Sequence, residues 1–173
     1  MEYHEYMKLY KEWMLVITNK KIVLTGADSG IGFEVLKLLA SEKTNQILAV
    51  DINFKNMNIL SDNVTTMVCD VSSKENVDAI FNRATELFGK IDVFYANAGY
   101  PYYELMDYED WDRTARMFET NVYSPIYSYQ KYVKHLNGTD GHFCITISAI
   151  GKMAMPGFTT YSASKFAMEG FQQ

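Results

Sequence analysis

Cysteine and histidine are scarce in this chain of 173 residues. It has only two cysteines, Cys69 and Cys144. A disulfide framework is therefore not expected, and the protein is expected in a reducing compartment, the cytoplasm. Both cysteines lie inside apolar runs, which predicts buried thiols. The three histidines are scattered, and none clusters with cysteines or carboxylates. The sequence therefore predicts no metal site.

Long apolar runs and an excess of positive charge are also missing. No apolar stretch approaches the ~20 residues that a membrane-spanning helix requires, and the N-terminus lacks the basic region of a secretory leader. The chain has 16 Lys and Arg against 21 Asp and Glu, a formal net charge of -5. Nucleic-acid binding needs clustered positive charge, so neither a membrane nor a nucleic acid is expected as a partner.

What is present is typical of one folded domain that follows a short extension. Hydrophobic residues make up 48% of the chain, and its length suits a single domain. In residues 1–19, tyrosines and methionines recur at helical spacing between charges of both signs, which predicts a short amphipathic helix. This helix would pack on its own domain or on a second subunit, and a regulatory or membrane-surface role is the alternative. The predicted domain covers residues 20–173.

Five short apolar runs alternate with four helical patterns in that domain. The runs cover 21–25, 47–50, 64–69, 91–95 and 143–147, and the helical patterns cover 31–43, 73–88, 111–136 and 158–173. This alternation predicts an α/β fold with a Rossmann-like, doubly wound parallel sheet. A doubly wound dinucleotide fold has six strands, whereas this chain supplies five and stops inside a helix. We therefore expect the C-terminal strands to be missing.

A glycine-rich turn follows the first predicted strand and opens the first predicted helix. It reads Thr25-Gly26-Ala27-Asp28-Ser29-Gly30-Ile31-Gly32. Glycines allow a backbone to approach a pyrophosphate closely, and a helix N-terminus favours its negative charge. The spacing is G-x-x-x-G-x-G rather than G-x-G-x-x-G, so the motif alone is a weak signal. Its position between a strand and a helix favours dinucleotide binding.

An acidic residue, Asp51, ends the second predicted strand. A carboxylate at this place can accept hydrogen bonds from the ribose hydroxyls of adenosine and would repel a 2′-phosphate. The glycine turn contains no Lys or Arg, and the first basic residue after Asp51 is Lys55. These features favour NAD over NADP. The alternative is an ordinary surface aspartate at the end of a strand.

Three residues late in the chain carry groups suited to proton transfer. Tyr161 and Lys165 are four residues apart and share one face of the last predicted helix. A nearby ammonium stabilises a phenolate and so prepares a tyrosine for proton transfer near neutral pH. Ser148 follows the fifth predicted strand, at the edge where open α/β sheets bind ligands. Taken alone, the Tyr and Lys pair is more typical of a solvated helix face.

Asn121 lies four residues before Pro125 in the third helical pattern. Proline has no N–H, so the carbonyl of Asn121 loses its helical partner. The freed carbonyl could bind a water molecule, or the proline could simply kink the helix. The residues alone leave both alternatives open.

Together, these motifs resemble the short-chain dehydrogenase/reductase family over residues 20–173. The resemblance rests on the order and spacing of Thr25–Gly32, Asn97-Ala98-Gly99, Asn121, Ser148 and the Tyr161 and Lys165 pair. It implies a Rossmann fold and a nicotinamide cofactor, with NAD expected ahead of NADP. It also implies reversible hydride transfer between nicotinamide and a small carbonyl or alcohol substrate, and a homodimer or homotetramer when the protein is full length.

The resemblance implies a role for each motif residue. Tyr161 would be the general acid/base at the substrate oxygen, Ser148 would hydrogen-bond that oxygen, Lys165 would stabilise the tyrosinate and hold the nicotinamide ribose, and Asn121 would hold a relay water through its main chain. Cofactor contacts are implied for Tyr161 and Lys165 and for Thr25, Gly26, Asp28, Ser29, Gly30, Ile31, Gly32, Asp51, Asp70, Val71, Asn97, Ala98 and Gly99. Ala96 stands where many members of the family have an asparagine.

Two other functions compete with an active enzyme. The lid and the later strands, which close over nicotinamide and substrate in this family, are absent from the 173 residues. The first alternative is therefore a catalytically inactive truncated fragment, or a nucleotide-binding or interaction module with the same fold. The second is a sugar-nucleotide epimerase or dehydratase, which shares the Tyr and Lys pair, although the spacing of the glycine turn favours the shorter branch.

Overall fold

The computed structural model describes residues 17–56, 61–107 and 109–173. Within these ranges, five parallel strands form one sheet in the order β3-β2-β1-β4-β5. This order matches that of a doubly wound dinucleotide fold up to its fifth strand, so the predicted Rossmann-like α/β fold is confirmed. The amphipathic helix predicted over residues 1–19 falls mostly on residues 1–16, which lie outside the described residues.

The strands and helices lie close to their predicted positions. The strands are β1 (Lys21–Thr25), β2 (Gln46–Asp51), β3 (Val64–Val68), β4 (Val93–Ala96) and β5 (His142–Ile145). The helices are α1 (Gly30–Ser41), α2 (Lys74–Phe88), α3 (Trp111–Phe118), α4 (Ser124–Leu136) and α5 (Thr159–Phe171), with a π-helical turn at Glu119–Tyr123 and a 3-10 turn at Ala149–Gly151. The strand order reverses between β1 and β4, which is where open α/β sheets bind their ligands.

Helices cover both faces of the sheet. One core joins Val23, Leu48 and Phe94 to buried residues of α2 and to Tyr132 of α4. The other joins Ile22, Leu24 and Ile47 to Leu36 and Ala40 of α1. Burial on both faces explains why the strands read as continuous apolar runs instead of alternating apolar and polar residues.

The apolar spacing of Ile31, Val35, Leu38 and Leu39 matches the packed face of α1 only in part. Val35 and Leu39 pack against the core, but the side chains of Ile31 and Leu38 are 61% and 66% exposed. The fully buried residues of the helix are Gly32, Leu36 and Ala40. Two of these three residues are small, so the helix can lie close to the strands, a use of glycine that is common after a dinucleotide-binding turn.

The helix predicted over residues 111–136 is interrupted, as Pro125 indicated, but by a π-helical turn. Pro125 lies in the first turn of α4, directly after the π-helical turn. The N–H of Ser124 bonds to the carbonyl of Glu119. Single π-turns inside α-helices are frequent at functional sites, and Asn121 lies within this one.

The prediction of two buried thiols is right for Cys69 and wrong for Cys144. In the described part of the sheet, β5 is one of the two edge strands. Its alternate residues His142 and Cys144 are exposed, whereas Phe143 packs on the core. An apolar run indicates a strand, but it does not indicate whether the outer face of an edge strand is covered.

None of the helices formed by the described residues is long and apolar enough to cross a membrane. The same residues contain no group of three or more His, Cys, Asp or Glu side chains that could hold a metal ion.

Candidate active site

The glycine turn between β1 and α1 is packed so closely that side chains do not fit at two of its positions. Gly26 has a φ of 66°, in the left-handed region, and a Cβ there would lie 2.8 Å from the Cα of Ala98. A Cβ on Gly32 would collide with the carbonyl oxygen of Gly26. The turn and the segment after β4 therefore meet backbone to backbone.

Asn97 joins these two segments. Its Nδ2 donates to the carbonyls of Thr25 and Gly26, at 3.1 and 3.0 Å. The Thr25 hydroxyl in turn accepts from the backbone N–H groups of Asn97 and Ala98, each at 3.2 Å. The conformation of the glycine turn is thus fixed by the side chain of Asn97, directly after β4.

A crevice of about 280 Å³ opens at this edge of the sheet. Seven of the residues expected to contact a cofactor line it: Gly26, Ser29, Asp51, Asp70, Val71, Ala98 and Gly99. Thr25 and Asn97 brace its floor, and Gly30 and Ile31 begin α1 beside it. The crevice has the backbone approach, the helix N-terminus and the acidic side chains that a dinucleotide requires.

Two aspartates near the crevice differ in what their carboxylates do. Asp51 is half-buried, and its Oδ2 accepts from the N–H of Asp28 at 2.9 Å, which ties the end of β2 to the glycine turn. Asp28 is 6% exposed, and its carboxylate accepts from the N–H groups of Lys55 and Asn56 at 2.7 and 3.2 Å. The Asp28 side chain therefore shapes the loop after β2, while Asp51 faces the crevice.

Asn121 is buried, at 2% exposed, and its side chain clamps the backbone of Tyr100. Its Oδ1 accepts from the Tyr100 N–H and its Nδ2 donates to the Tyr100 carbonyl, both at 3.1 Å. Nδ2 also lies 3.3 Å from the Ser164 hydroxyl on α5. The π-helical turn thus connects the segment after β4 to α5.

Lys165 is buried beside the same segment. It is 6% exposed, its Nζ donates to the Thr146 carbonyl at 2.9 Å, and burial lowers the pKa of its ammonium. The Nζ lies 5.7 Å from the centre of the Tyr161 ring. A Cβ built on Gly99 would lie 3.7 Å from that Nζ and 3.0 Å from Asn121 Oδ1. Gly99 of the crevice, Asn121 and Lys165 therefore converge.

Ser148 begins the 3-10 turn Ala149–Gly151, which packs against α5. Its hydroxyl accepts from the N–H of Ile150 at 3.3 Å, which fixes the turn. A Cβ on Gly151 would come within 2.7 Å of the Lys165 carbonyl, so this turn lies directly on the helix that carries Tyr161. Ser148 and Tyr161 are both half-buried.

Sequence reasoning missed several residues at the site. The crevice is also lined by Val50, Ile52, Cys69, Tyr100, Arg116 and Thr120. Arg116 and Thr120 are four residues apart, so helical spacing relates them to each other but not to Asn121, and no pattern in the sequence pointed to them. Thr146 was also missed: its hydroxyl lies 2.8 Å from Asn97 Oδ1 and its carbonyl holds Lys165, linking the two halves of the site.

A family model places this arrangement among known proteins. The model for the short chain dehydrogenase matches residues 20–173. The chain belongs to the short-chain dehydrogenase family. Members of this family are oxidoreductases that use a nicotinamide cofactor and act on small molecules, as the resemblance in the sequence implied.

Curated relatives agree with this membership. An uncharacterized oxidoreductase of Staphylococcus aureus (strain USA300) is 32% identical over 168 residues, 92% of this chain and 71% of the relative. The uncharacterized oxidoreductase YxnA of Bacillus subtilis (strain 168) is 30% identical over 91% of this chain and 46% of its own length.

Two solved structures share the fold, each with a TM-score of 0.80. One is the apo form of LigO from Sphingobium sp. strain SYK-6, at 22% identity over 91% of this chain and 62% of that protein. The other is a short chain dehydrogenase from Burkholderia cenocepacia J2315 in complex with NADP, at 23% identity over 90% of this chain and 66% of that protein. The 173 residues thus span about two thirds of each of these proteins.

Proposed function

We propose that this short-chain dehydrogenase transfers a hydride reversibly between NAD and a small carbonyl or alcohol substrate, with Tyr161 as the general acid/base. The observation that carries the proposal is the position of Gly99. It lines the crevice after β1 and β4, and it also lies between Asn121 and Lys165. The cofactor crevice therefore adjoins Asn121 and Lys165, two of the four candidate catalytic residues.

The crevice residues fit a dinucleotide. The space beside Gly30, the first residue of α1, is open, so a pyrophosphate could approach the backbone at this helix N-terminus, where the helix dipole favours its charge. Asp51, Asp70 and Val71 line this crevice. Asp51 would accept from the adenosine ribose, and Asp70 and Val71 would border the adenine. When bound, the nicotinamide supplies or accepts the hydride.

The protein's own residues handle the proton and the orientation of the substrate. In the reducing direction Tyr161 gives the proton of its hydroxyl to the substrate oxygen, and in the oxidising direction its phenolate removes that proton from the alcohol. Ser148 donates a hydrogen bond to the same oxygen. An ammonium has three N–H donors. Lys165 uses one on Thr146, and the other two would be available for the tyrosinate and for the nicotinamide ribose of a bound cofactor.

NAD is favoured over NADP by the charges around the ribose site. Asp51 and Asp70 line the crevice, and a 2′-phosphate beside Asp51 would be repelled. The NADP bound by the Burkholderia cenocepacia protein and the guanidinium of Arg116 in this crevice both favour the other cofactor. Arg116 lies on α3, whereas Asp51 ends β2 next to the glycine turn, so Asp51 is the residue that we assign to cofactor choice.

Titration of the protein with NADH and with NADPH, followed by nicotinamide fluorescence, tests the cofactor assignment. We expect NADH to bind at least about tenfold more tightly, because a hydrogen bond between a ribose hydroxyl and a charged carboxylate is worth about 1.5–3 kcal/mol. Asp51→Ala should reduce that ratio to near one, whereas Asp62→Ala, at an exposed position away from the crevice, should leave it unchanged. Equal affinities in the wild type, or a ratio unaffected by Asp51→Ala, would contradict the NAD assignment.

An activity assay on the same protein distinguishes an enzyme from a nucleotide-binding module without activity. A panel of alcohols and ketones, followed by nicotinamide absorbance, should yield turnover if the proposal is right. Tight NADH binding without turnover on any member of a broad panel would favour the binding module.

A further inference from the structure

We infer that Glu104, a residue outside the cofactor crevice, is a positioning residue that holds the first turn of α5 and thereby the hydroxyl of Tyr161. The inference rests on the proposed role of Tyr161 and identifies a residue that holds that side chain in position. It starts from the N-terminus of α5. The first N–H groups of any helix have no intrahelical acceptor, and the N-cap residue here is Phe158, whose phenyl ring cannot accept a hydrogen bond.

Glu104 supplies the acceptor that Phe158 lacks. One of its carboxylate oxygens accepts from the N–H of Thr160 and the other lies 2.9 Å from the Thr160 hydroxyl. Thr160 is 7% exposed and directly precedes Tyr161. A carboxylate at this end of a helix also interacts favourably with the helix dipole. Glu104 thus caps α5 from a distant loop, 56 residues away along the chain.

A second contact holds the same loop against the start of α5. The N–H of Glu104 donates to the carbonyl of Gly157 at 2.9 Å. The ring of Tyr103 lies edge-on to Phe158, with 5.9 Å between ring centres, and fills the space where a side chain on Gly157 would be. Glu104 is therefore held by its own backbone and by its neighbour, so its carboxylate has little freedom to move away.

The segment Tyr100–Glu104, which we call the strap, is attached to α5 at two places. At Tyr100 it is clamped by Asn121, which also reaches the Ser164 hydroxyl. At Glu104 it is bonded to Thr160. Tyr161 lies between Thr160 and Ser164, so the strap brackets the turn of helix that carries the proposed acid/base. A strap fixed to the site at both ends is suited to keep the phenol in register with Ser148 and Lys165.

Hydrogen exchange measured by mass spectrometry tests the cap without any need for a substrate. Glu104→Ala should speed exchange at least about tenfold in peptides from the first turn of α5, because the Thr160 N–H loses its acceptor. Glu104→Gln should retain the protection, since its amide can still accept from the N–H and donate to the Thr160 hydroxyl. Glu75→Ala removes a carboxylate from the first turn of α2 and is the matched control, with no change expected in α5. Wild-type exchange in α5 of Glu104→Ala would overturn the inference.

Kinetics distinguishes a positioning role from a merely structural one. Glu104→Ala should lower kcat about ten- to a hundredfold, the range expected for a small displacement of a reacting group, while the dissociation constant for NADH stays within about twofold. Glu104→Gln should restore kcat to within about threefold of the wild type. Equal kcat in Glu104→Ala and the wild type would refute the positioning role.

Two further outcomes remain decisive. If Glu104→Ala does not fold, Thr160→Val, which removes only the hydroxyl contact, should show a smaller loss of protection and of kcat, and no loss of either would refute the inference. If the wild type binds NADH but turns over no substrate, the proposed function fails, and the exchange measurement still decides whether Glu104 caps α5.

Discussion

The hydrogen bonds of Asn97 join the sheet to the glycine turn. We therefore expect their loss to change both the stability of the protein and the shape of the turn. Asn97→Ala removes three hydrogen bonds: two from Nδ2 to the carbonyls of Thr25 and Gly26, and one from the Thr146 hydroxyl to Oδ1. Each is worth about 1 kcal/mol net. We therefore expect the free energy of unfolding to fall by about 3 kcal/mol. For a domain of this size, that corresponds to a drop in Tm of about 6–12 °C.

Asn97→Asp sharpens the test. It keeps the size of the side chain but places an acceptor against the carbonyl oxygens of Thr25 and Gly26, which have no proton to offer. It should therefore destabilise the protein at least as much as Asn97→Ala does, because buried acceptors facing each other repel and stay unsatisfied. Both variants should also weaken NADH binding, since the carbonyls that define the glycine turn are no longer held.

The matched control is Asn63→Ala. Asn63 also lies in a loop at the sheet, but its Nδ2 makes one bond, to the Glu42 carbonyl, and its Oδ1 has no hydrogen-bond partner among the described residues. Its loss should cost less than about 1 kcal/mol and leave NADH affinity unchanged. Urea unfolding and NADH titration measure both effects. A cost for Asn97→Ala no larger than that for Asn63→Ala, or undiminished NADH affinity, would refute the reasoning.

Two further predictions concern pH. Burial raises the pKa of Tyr132 to about 12, so its neutral hydroxyl contributes stability that is full below pH 10 and is lost between pH 10 and about 12. In urea unfolding across that range the wild type should lose more stability than Tyr132→Phe, and parallel curves would contradict the assignment. Burial lowers the pKa of Lys165 below its ordinary 10.5, so the folded protein binds this proton more weakly than the unfolded chain does. The wild type should therefore gain stability relative to Lys165→Met as the pH rises towards 10.5, and a relative loss would show that the burial argument is wrong.

Much of the fold could be predicted because its signals are local. In α2, the cap at Ser73, the buried stripe that includes Val77 and Ile80, and the end at Gly89 all lie where the sequence indicates. The parallel sheet followed from alternating runs whose buried strands have no polar face. Where the prediction was wrong, the missing information was tertiary. Ile31 and Leu38 of α1 are exposed because Gly32, Leu36 and Ala40 face the sheet, and Cys144 is exposed because β5 is at the edge of the described sheet.

The candidate site was predictable where spacing along the chain carries it, as for the glycine turn and for Tyr161 with Lys165. The residues that the sequence did not indicate act across long separations. Thr146 connects Asn97 to Lys165, and Glu104 caps a helix 56 residues away. Thr146, directly after β5, and Glu104, in a loop, have no distinguishing local pattern in the sequence. Only the folded backbone brings them to the site.

Replacement of Tyr161 by phenylalanine tests the central claim most directly. Phenylalanine keeps the ring beside Lys165 and removes only the hydroxyl, so NADH should still bind within about threefold of the wild type, whereas turnover should fall by about a hundredfold or more, the usual contribution of a general acid/base. Tyr129→Phe, on the exposed side of α4, should change neither quantity. If Tyr161→Phe retains turnover within about tenfold of the wild type, below the range for such a group, the assignment of Tyr161 as the proton donor is wrong.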